Sequence, residues 1–535
     1  MHGITPITPA ELKERFRGGG ELAPLDVREE TPYSKRHLLH ARCLPLSRLE
    51  LLLADLVPRR SVPVVVMDAG PEDCGLAARA ADRLAGLGYG DVAVLEGGVE
   101  AWAAAGHEVF SGINVPSKAF GEYVEQVYET PHLEAREVHR LIQSGANMVV
   151  LDSRPFEEFQ RMSIPTGVDT PGAELAYRVH DMAPDPETLV VVNCAGRTRS
   201  IIGAQSLVNA GILNRIAALK DGTMGWHLEG LELEHGRDEV APPPGPEGLA
   251  KAQAAARRVA ERFGVTRIDR AQLAAWQAER GERTLFLLDV RGPDEFAAGH
   301  LPGARPAPGG QLVQATDEYI GVLGARVVLI DDNGVRATMT ASWLIQMGWR
   351  EVAVLEDGLS GTLETGPHVP EILGLADDGP DEVSPEQLRG LLDAGEAEVL
   401  DLGDSLSYRA GHIPGAAWTT RSRLDQTLPA LGAKGTLVLT SGDGLLAFLA
   451  APEAAEALPG TQVRVLAGGT AAWRAAGHAL ESGLTRALSA TDDVWYKPYD
   501  TDDEIEQEMR DYLTWEIALV EQIERDGTAG FRRFD

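Results

Sequence analysis

One phrase occurs four times in this chain, at intervals the size of a small domain. It reads LDVREETPYSKRHLLHA from Leu25, LDSRPFEEFQRMSIPTGV from Leu151, LDVRGPDEFAAGHLPGA from Leu288 and LDLGDSLSYRAGHIPGA from Leu400. The anchoring aspartates, Asp26, Asp152, Asp289 and Asp401, are separated by 126, 137 and 112 residues. Such distances suit tandem domains and not the short units of a solenoid. A second landmark follows each anchor: VPVVVMDAG, LVVVNCAGRTRS, RVVLIDDNGVRA and TLVLTSGDG. Its first loop residue (Asp68, Cys194, Asp331 or Ser441) lies 42, 42, 42 and 40 residues after the aspartate. The third landmark is VAVLEGGVEAW, AALKDGTMGW, VAVLEDGLSGT and VRVLAGGTAAW.

The local patterns predict an α/β architecture. Stretches with helical punctuation, such as PAELKERF and SPEQLRGLLDAG, precede each anchor. The Val-rich runs are short and do not alternate with polar residues, as expected of strands covered on both faces. Alternation of the two implies, for each repeat, a mainly parallel sheet with helices on both faces. The expected units are 1–115, 116–238, 239–375 and 376–488, the third opening with a Pro-rich break and an Ala-rich linker helix at 241–264. The remaining 489–535 reads as an acidic helical tail, whose Trp495, Tyr496, Tyr499, Tyr512 and Trp515 suit packing on a neighbouring domain, with covering the site or dimerisation as the alternative.

Composition excludes several partners. The 81 acidic residues exceed the 49 basic ones, for a net charge of −32, so nucleic acid and anionic membrane surfaces are disfavoured. No apolar run approaches the roughly 18 residues of a membrane span. Three cysteines in 535 residues argue against a disulfide scaffold and fit a reducing cytoplasm.

Only the second repeat has cysteine at the strand end, in Cys194-Ala195-Gly196-Arg197-Thr198-Arg199-Ser200, and helical periodicity follows. A thiol in a loop entering a helix N-terminus meets converging backbone N–H groups, which favour thiolate. Gly196 permits a tight curl. Arg197 and Arg199 oppose the helix dipole, a cost understandable when an anion is normally present.

The phrases LDVR…EF…GH[IL]PGA, the Val-rich strand, C-x4-R and GG-x3-W together resemble rhodanese-type sulfurtransferases, in four copies of which one keeps the cysteine. The resemblance implies that Cys194 carries a persulfide and that Ala195, Gly196, Arg197, Thr198 and Arg199 cradle it and the donor. Arg197 and Arg199 are expected to face an anionic donor such as thiosulfate. The acceptor would be cyanide, a thiol or a protein, with no metal or organic cofactor. Related phosphatases use C-x5-R, and the shorter ring here suits a sulfur atom. Asp152 and Arg154 are expected to form an ion pair beneath the loop, Ser200 to support it, and Trp226 either to wall the pocket or to pack in the core or at the rim. Three repeats without the thiol are expected to be silent. Cys43 reads as core and Cys74 as incidental, with sulfur relay as its alternative. His227, His300 and His412 read as rim or turn residues, and Ser163-Ile164-Pro165 as a departure at the pocket's edge. A persulfide sensor or scaffold is the competing class, and a homo-oligomer is compatible with so large a surface.

Overall fold

The computed structural model describes residues 5–73, 75–375, 379–431, 435–497 and 504–535. Cys74 and Tyr499 therefore lie outside the described residues. Four five-stranded sheets follow one another, each with the strand order first-fifth-fourth-second-third, and every pairing within them is parallel. This is the four-domain α/β fold expected, with a helical tail at Ile505–Asp526.

The fourth strand is central in each sheet and buried along nearly its whole length: Val64–Met67, Leu189–Asn193, Arg326–Ile330 and Thr436–Thr440. Burial on both faces explains its unalternating Val runs. The loop after it opens at the carboxyl edge, where sheets of this kind bind ligands. In the second domain Asp152 closes its strand opposite Asn193 on one side and Asp169 on the other. Arg154 answers Asp152 with Nε donating to Oδ1 and Nη2 to Oδ2, both at 2.8 Å, and its Nη2 also reaches the Met162 carbonyl at 2.6 Å. The same fork recurs in the first domain, Arg28 on Asp26 and on the Arg36 carbonyl, and in the third, Arg291 on Asp289 and on the Gly299 carbonyl. Its presence without a cysteine marks it as a clamp on the strand end.

Trp226 takes the core place of its two expected roles, and not the pocket wall. It is fully buried in the core, and its indole donates to the Glu232 carbonyl at 2.9 Å. Trp102 and Trp473 make the same bond to Glu108 and Ala479 at 2.8 and 3.0 Å. A bond shared with domains that lack the cysteine belongs to the fold. His37, His300 and His412 also have one recurring role: each stacks on an aromatic ring (Tyr33, Phe296 or Tyr408) and bridges to a later segment. Ser163 takes this place in the second domain and bridges to Glu234. It does not line the cavity over Cys194, so the departure leaves the pocket's edge unaltered.

The domains interlock. The first and third share one hydrophobic core, into which Phe120 and Val124 of the connecting helix Val115–Tyr128 and Ile201 and Ile202 of the second domain insert. Second and third domains meet at Gly172 and Gly310, where a Cβ on Gly310 would stand 2.8 Å from the Gly172 nitrogen. Beside this approach Arg336, its side chain 0% exposed, reaches Glu174 at 2.8 Å. The segment expected as a linker is a wedge: helix Pro246–Phe263 buries Ala252, Ala255, Ala256, Val259 and Phe263 between these two domains. Fourth and first domains are joined by Arg421 and Glu50 at 2.9 Å. The tail helix packs along Val115–Tyr128 and is tied to the first domain by a buried Lys13–Asp526 bridge of 2.7 Å.

Candidate active site

Cys194 follows the central strand directly, and helix Thr198–Asn209 begins four residues later. The loop is held from behind by helix Gly222–Leu228. Thr223 N–H donates to the Cys194 carbonyl and Met224 N–H to the Ala195 carbonyl, each at 2.9 Å. In a trans peptide the next N–H points opposite to the carbonyl, so the N–H groups of Ala195 and Gly196 turn away from that helix. Among the described residues, the amides of Ala195, Gly196 and Arg197 donate to no protein acceptor. Exposed donors at a helix entrance form an anion cradle. Sγ of Cys194 lies 3.4 Å from the Ser200 hydroxyl, which donates to the Arg197 carbonyl at 2.9 Å. Ser200 thus links the thiol to the last carbonyl before the helix.

Gly222 explains why the third landmark ends its strand with glycine. Its φ is +55°, and a Cβ there would meet the Cys194 carbonyl oxygen at 2.3 Å. The matching Gly98 and Gly469 crowd the Asp68 and Ser441 carbonyls at 2.4 and 2.1 Å. Gly222→Ala is expected to cost about 2 kcal/mol or more through left-handed strain and the clash. It should shift the loop, lowering both the melting temperature and any Cys194-dependent activity.

A cavity of about 300 Å³ stands over the loop. Its walls come from four parts of the chain: Cys194 to Arg199, Asn114 and Lys118 of the connecting segment, Gln311 and Glu318 of the third domain, and Trp495, Lys497, Tyr512 and Glu516 of the tail. The thiol is 2% exposed yet borders a polar space. Burial raises its pKa, against the pull of Arg199 and the Ser200 hydrogen bonds, while Glu516 pushes in the same direction as burial. The loop alone predicts a lowered value; burial reverses it. Glu516 reaches the loop closely. A Cβ on Gly196 would sit 3.4 Å from its Oε2, its Oε1 accepts from Tyr512 at 3.0 Å, and burial raises its own pKa.

The two arginines part company. Arg199 lines the cavity and donates to Glu158 at 2.7 Å. Although burial alone would raise Glu158, Arg199 and Lys497 bring it down to about 2. Arg197 does not stand ready for a donor. Its Nε and Nη2 hold Glu122 at 2.7 and 2.8 Å, Nη1 holds Asp221 at 2.9 Å, and Nη2 also meets Glu125. It fastens the loop to the connecting helix. Thr198 donates to Glu516 Oε1 at 3.4 Å. Asn193, which donates to Asp152 at 2.6 Å, lies beneath. His227 is half-buried and outside the cavity.

The equivalent loops fill themselves. Asp331 accepts from the amides of Gly334 and Ala337 at 2.7 and 3.1 Å. Asp68 accepts from Ala77 N–H at 3.0 Å, and Ser441 from Ala447 N–H at 3.4 Å. In two domains a resident carboxylate thus engages the helix-entry amides. Cys43 lies half-buried on the edge strand Arg42–Cys43, where burial pushes its thiol well up.

Sequence reasoning missed Lys118, Glu122, Glu158, Gln311 and Glu516, because nothing local ties them to a loop tens to hundreds of residues away. The aromatic residues of the tail were the only available signal.

Comparison with known proteins follows the same division. The family model for the rhodanese-like domain matches residues 8–105, 134–229, 269–365 and 384–476. The crystal structure of a thiosulfate sulfurtransferase from Pseudomonas aeruginosa is 49% identical, with a TM-score of 0.95 over 99% of this chain and 100% of that one. Shorter likenesses exist to an HTH-type transcriptional regulator of Mycobacterium tuberculosis, 28% identical over 92 residues (17% of this chain), and to the uncharacterized protein YqhL of Bacillus subtilis, 38% identical over 78 residues (15% of this chain). The chain spans 40% and 60% of the length of those two relatives. With four matched segments coinciding with four sheets of one topology, the chain belongs to the rhodanese-like family and carries its domain in four tandem copies.

Proposed function

We propose that the protein is a sulfurtransferase that moves sulfane sulfur from a small anionic donor such as thiosulfate, through a persulfide on Cys194, to cyanide or a thiol. One observation carries the reading: the Cys194 thiol borders a polar cavity, in a loop where, among the described residues, the amides of Ala195, Gly196 and Arg197 have no protein acceptor. The likeness to a thiosulfate sulfurtransferase over the whole chain supports the same reaction class.

The Cys194 thiolate attacks the outer sulfur of the donor. The donor's S–S bond breaks, and its electron pair leaves on sulfite. The resulting persulfide has its negative terminal sulfur within reach of the Ala195–Arg197 amides, which stabilise charge formed there. A nucleophile then takes that sulfur, and the thiolate departs with the electron pair; cyanide becomes thiocyanate. Splitting one transfer into two displacements is covalent catalysis.

Intact mass after exposure to thiosulfate tests the first half-reaction. A gain of about 32 Da confined to the peptide containing Cys194, and removed by cyanide, is expected for a covalent sulfur carrier. A gain on the peptides of Cys43 or Cys74 instead, or none, would overturn the assignment.

A further inference from the structure

Arg197 is saturated by carboxylates, so the cavity's other buried cation becomes the one of interest. Lys118 projects from the connecting helix Val115–Tyr128 and borders the same cavity as Cys194. It is 3% exposed. Its ammonium lies 5.4, 5.2 and 5.0 Å from the ring centres of Trp495, Tyr512 and Trp515. Among the described residues, no carboxylate stands within ion-pair distance of it, and its ammonium donates no hydrogen bond. Aromatic faces offset only part of the cost of burying a cation. An anion entering the cavity would offset the rest. Glu516, on the same tail helix as Tyr512 and Trp515, also borders the cavity, and among the described residues its buried Oε2 has no hydrogen-bond partner.

We infer that Lys118 receives the oxyanion end of the sulfur donor, so that the sulfonate of thiosulfate, and then sulfite, sits against its ammonium while the outer sulfur meets Cys194. The inference rests on the sulfurtransferase reading and gives the tail a part in it, because Trp495, Tyr512 and Trp515 form the box that holds the lysine. Lys118 keeps its proton throughout; the electron pair of the broken S–S bond leaves on sulfite beside it.

Steady-state transfer from thiosulfate to cyanide separates this role from a structural one. Lys118→Gln is expected to raise the KM for thiosulfate about 10- to 100-fold, the loss of one hydrogen bond between charged groups. Its kcat and its kcat/KM for cyanide should stay within about twofold. Lys118→Arg should recover most of the donor affinity. The acidic groups facing Lys118 are Glu516 on the tail and Asp317 and Glu318 on the third domain, with Arg199 opposing. Burial prevails among these influences and brings the lysine down to about 8. In the parent protein the KM for thiosulfate should therefore climb as pH rises past about 8, and this climb should be absent from Lys118→Arg. Binding of sulfite to Cys194→Ser protein, followed by tryptophan fluorescence, needs no turnover. Sulfite affinity unchanged by adding Lys118→Gln would overturn the inference. Lys118-dependent sulfite binding in a protein that never gains sulfur would sink the transferase reading and leave the anion site standing.

Discussion

Cys194→Ser protein should fold normally and transfer sulfur from thiosulfate to cyanide roughly ten-thousand-fold more slowly than the parent, or not measurably. A serine hydroxyl is neither ionised near neutral pH nor able to hold a transferable sulfane sulfur. The fold already contains the control. Ser441 occupies this position in the fourth domain, where its hydroxyl accepts from Ala447 N–H at 3.4 Å. The replacement removes no core volume of consequence, and the melting temperature should stay within about 2 °C. Thiocyanate formation and a thermal melt on the same preparation give both readings. Residual transfer above about 1% of the parent rate would exceed what a cradle without its nucleophile supplies and would point to another thiol.

The repeated features were legible because each is a local pattern with a local cause. Strand four is a Val run since both its faces are covered. The D-x-R phrase is a side-chain fork that clamps a strand end three times over. Glycine closes the third landmark because a Cβ would strike the preceding loop. These features also recur in domains without the cysteine, so repetition itself separates what holds the fold from what is special to Cys194. For Trp226 that comparison decides between pocket wall and core: its partner carbonyl is six residues on, as for Trp102 and Trp473.

The cavity was far less legible. Nothing local to Lys118 announces that it meets rings nearly 400 residues later in the chain. The same limit applies to the thiol. A loop at a helix entrance favours thiolate, and that inference took the loop alone; the tail closing over it adds burial and the Glu516 charge, which drive the thiol the other way. The domains without the cysteine have a physical role here. The third supplies Gln311 and Glu318 to the cavity wall, and the first anchors the tail through Lys13 and Asp526.

Replacing Arg197 by methionine is expected to produce the largest loss of stability among substitutions in the loop. The guanidinium serves three carboxylates; its side chain is 6% exposed and that of Glu122 is 4% exposed. Removing one partner of a buried pair costs about 3–5 kcal/mol. Here the lower end applies, because Glu125 and Asp221 retain some contact with water. Burial already raises Glu122 from 4.5 to about 7 despite Arg197. Between those values the folded chain keeps a proton that the unfolded chain has released, so this group lowers stability progressively as pH rises through the window, with its full cost above it. Without the guanidinium, Glu122 moves higher still. The difference between Arg197→Met and parent in thermal or denaturant unfolding should therefore be greatest above about pH 7 and shrink toward pH 5, where Glu122 is protonated in both folded proteins. Adding Glu122→Gln should restore part of the loss by removing the stranded charge. A difference that stays flat with pH, or a double variant no more stable than Arg197→Met, would mean that the cluster does not fasten loop to helix by charge.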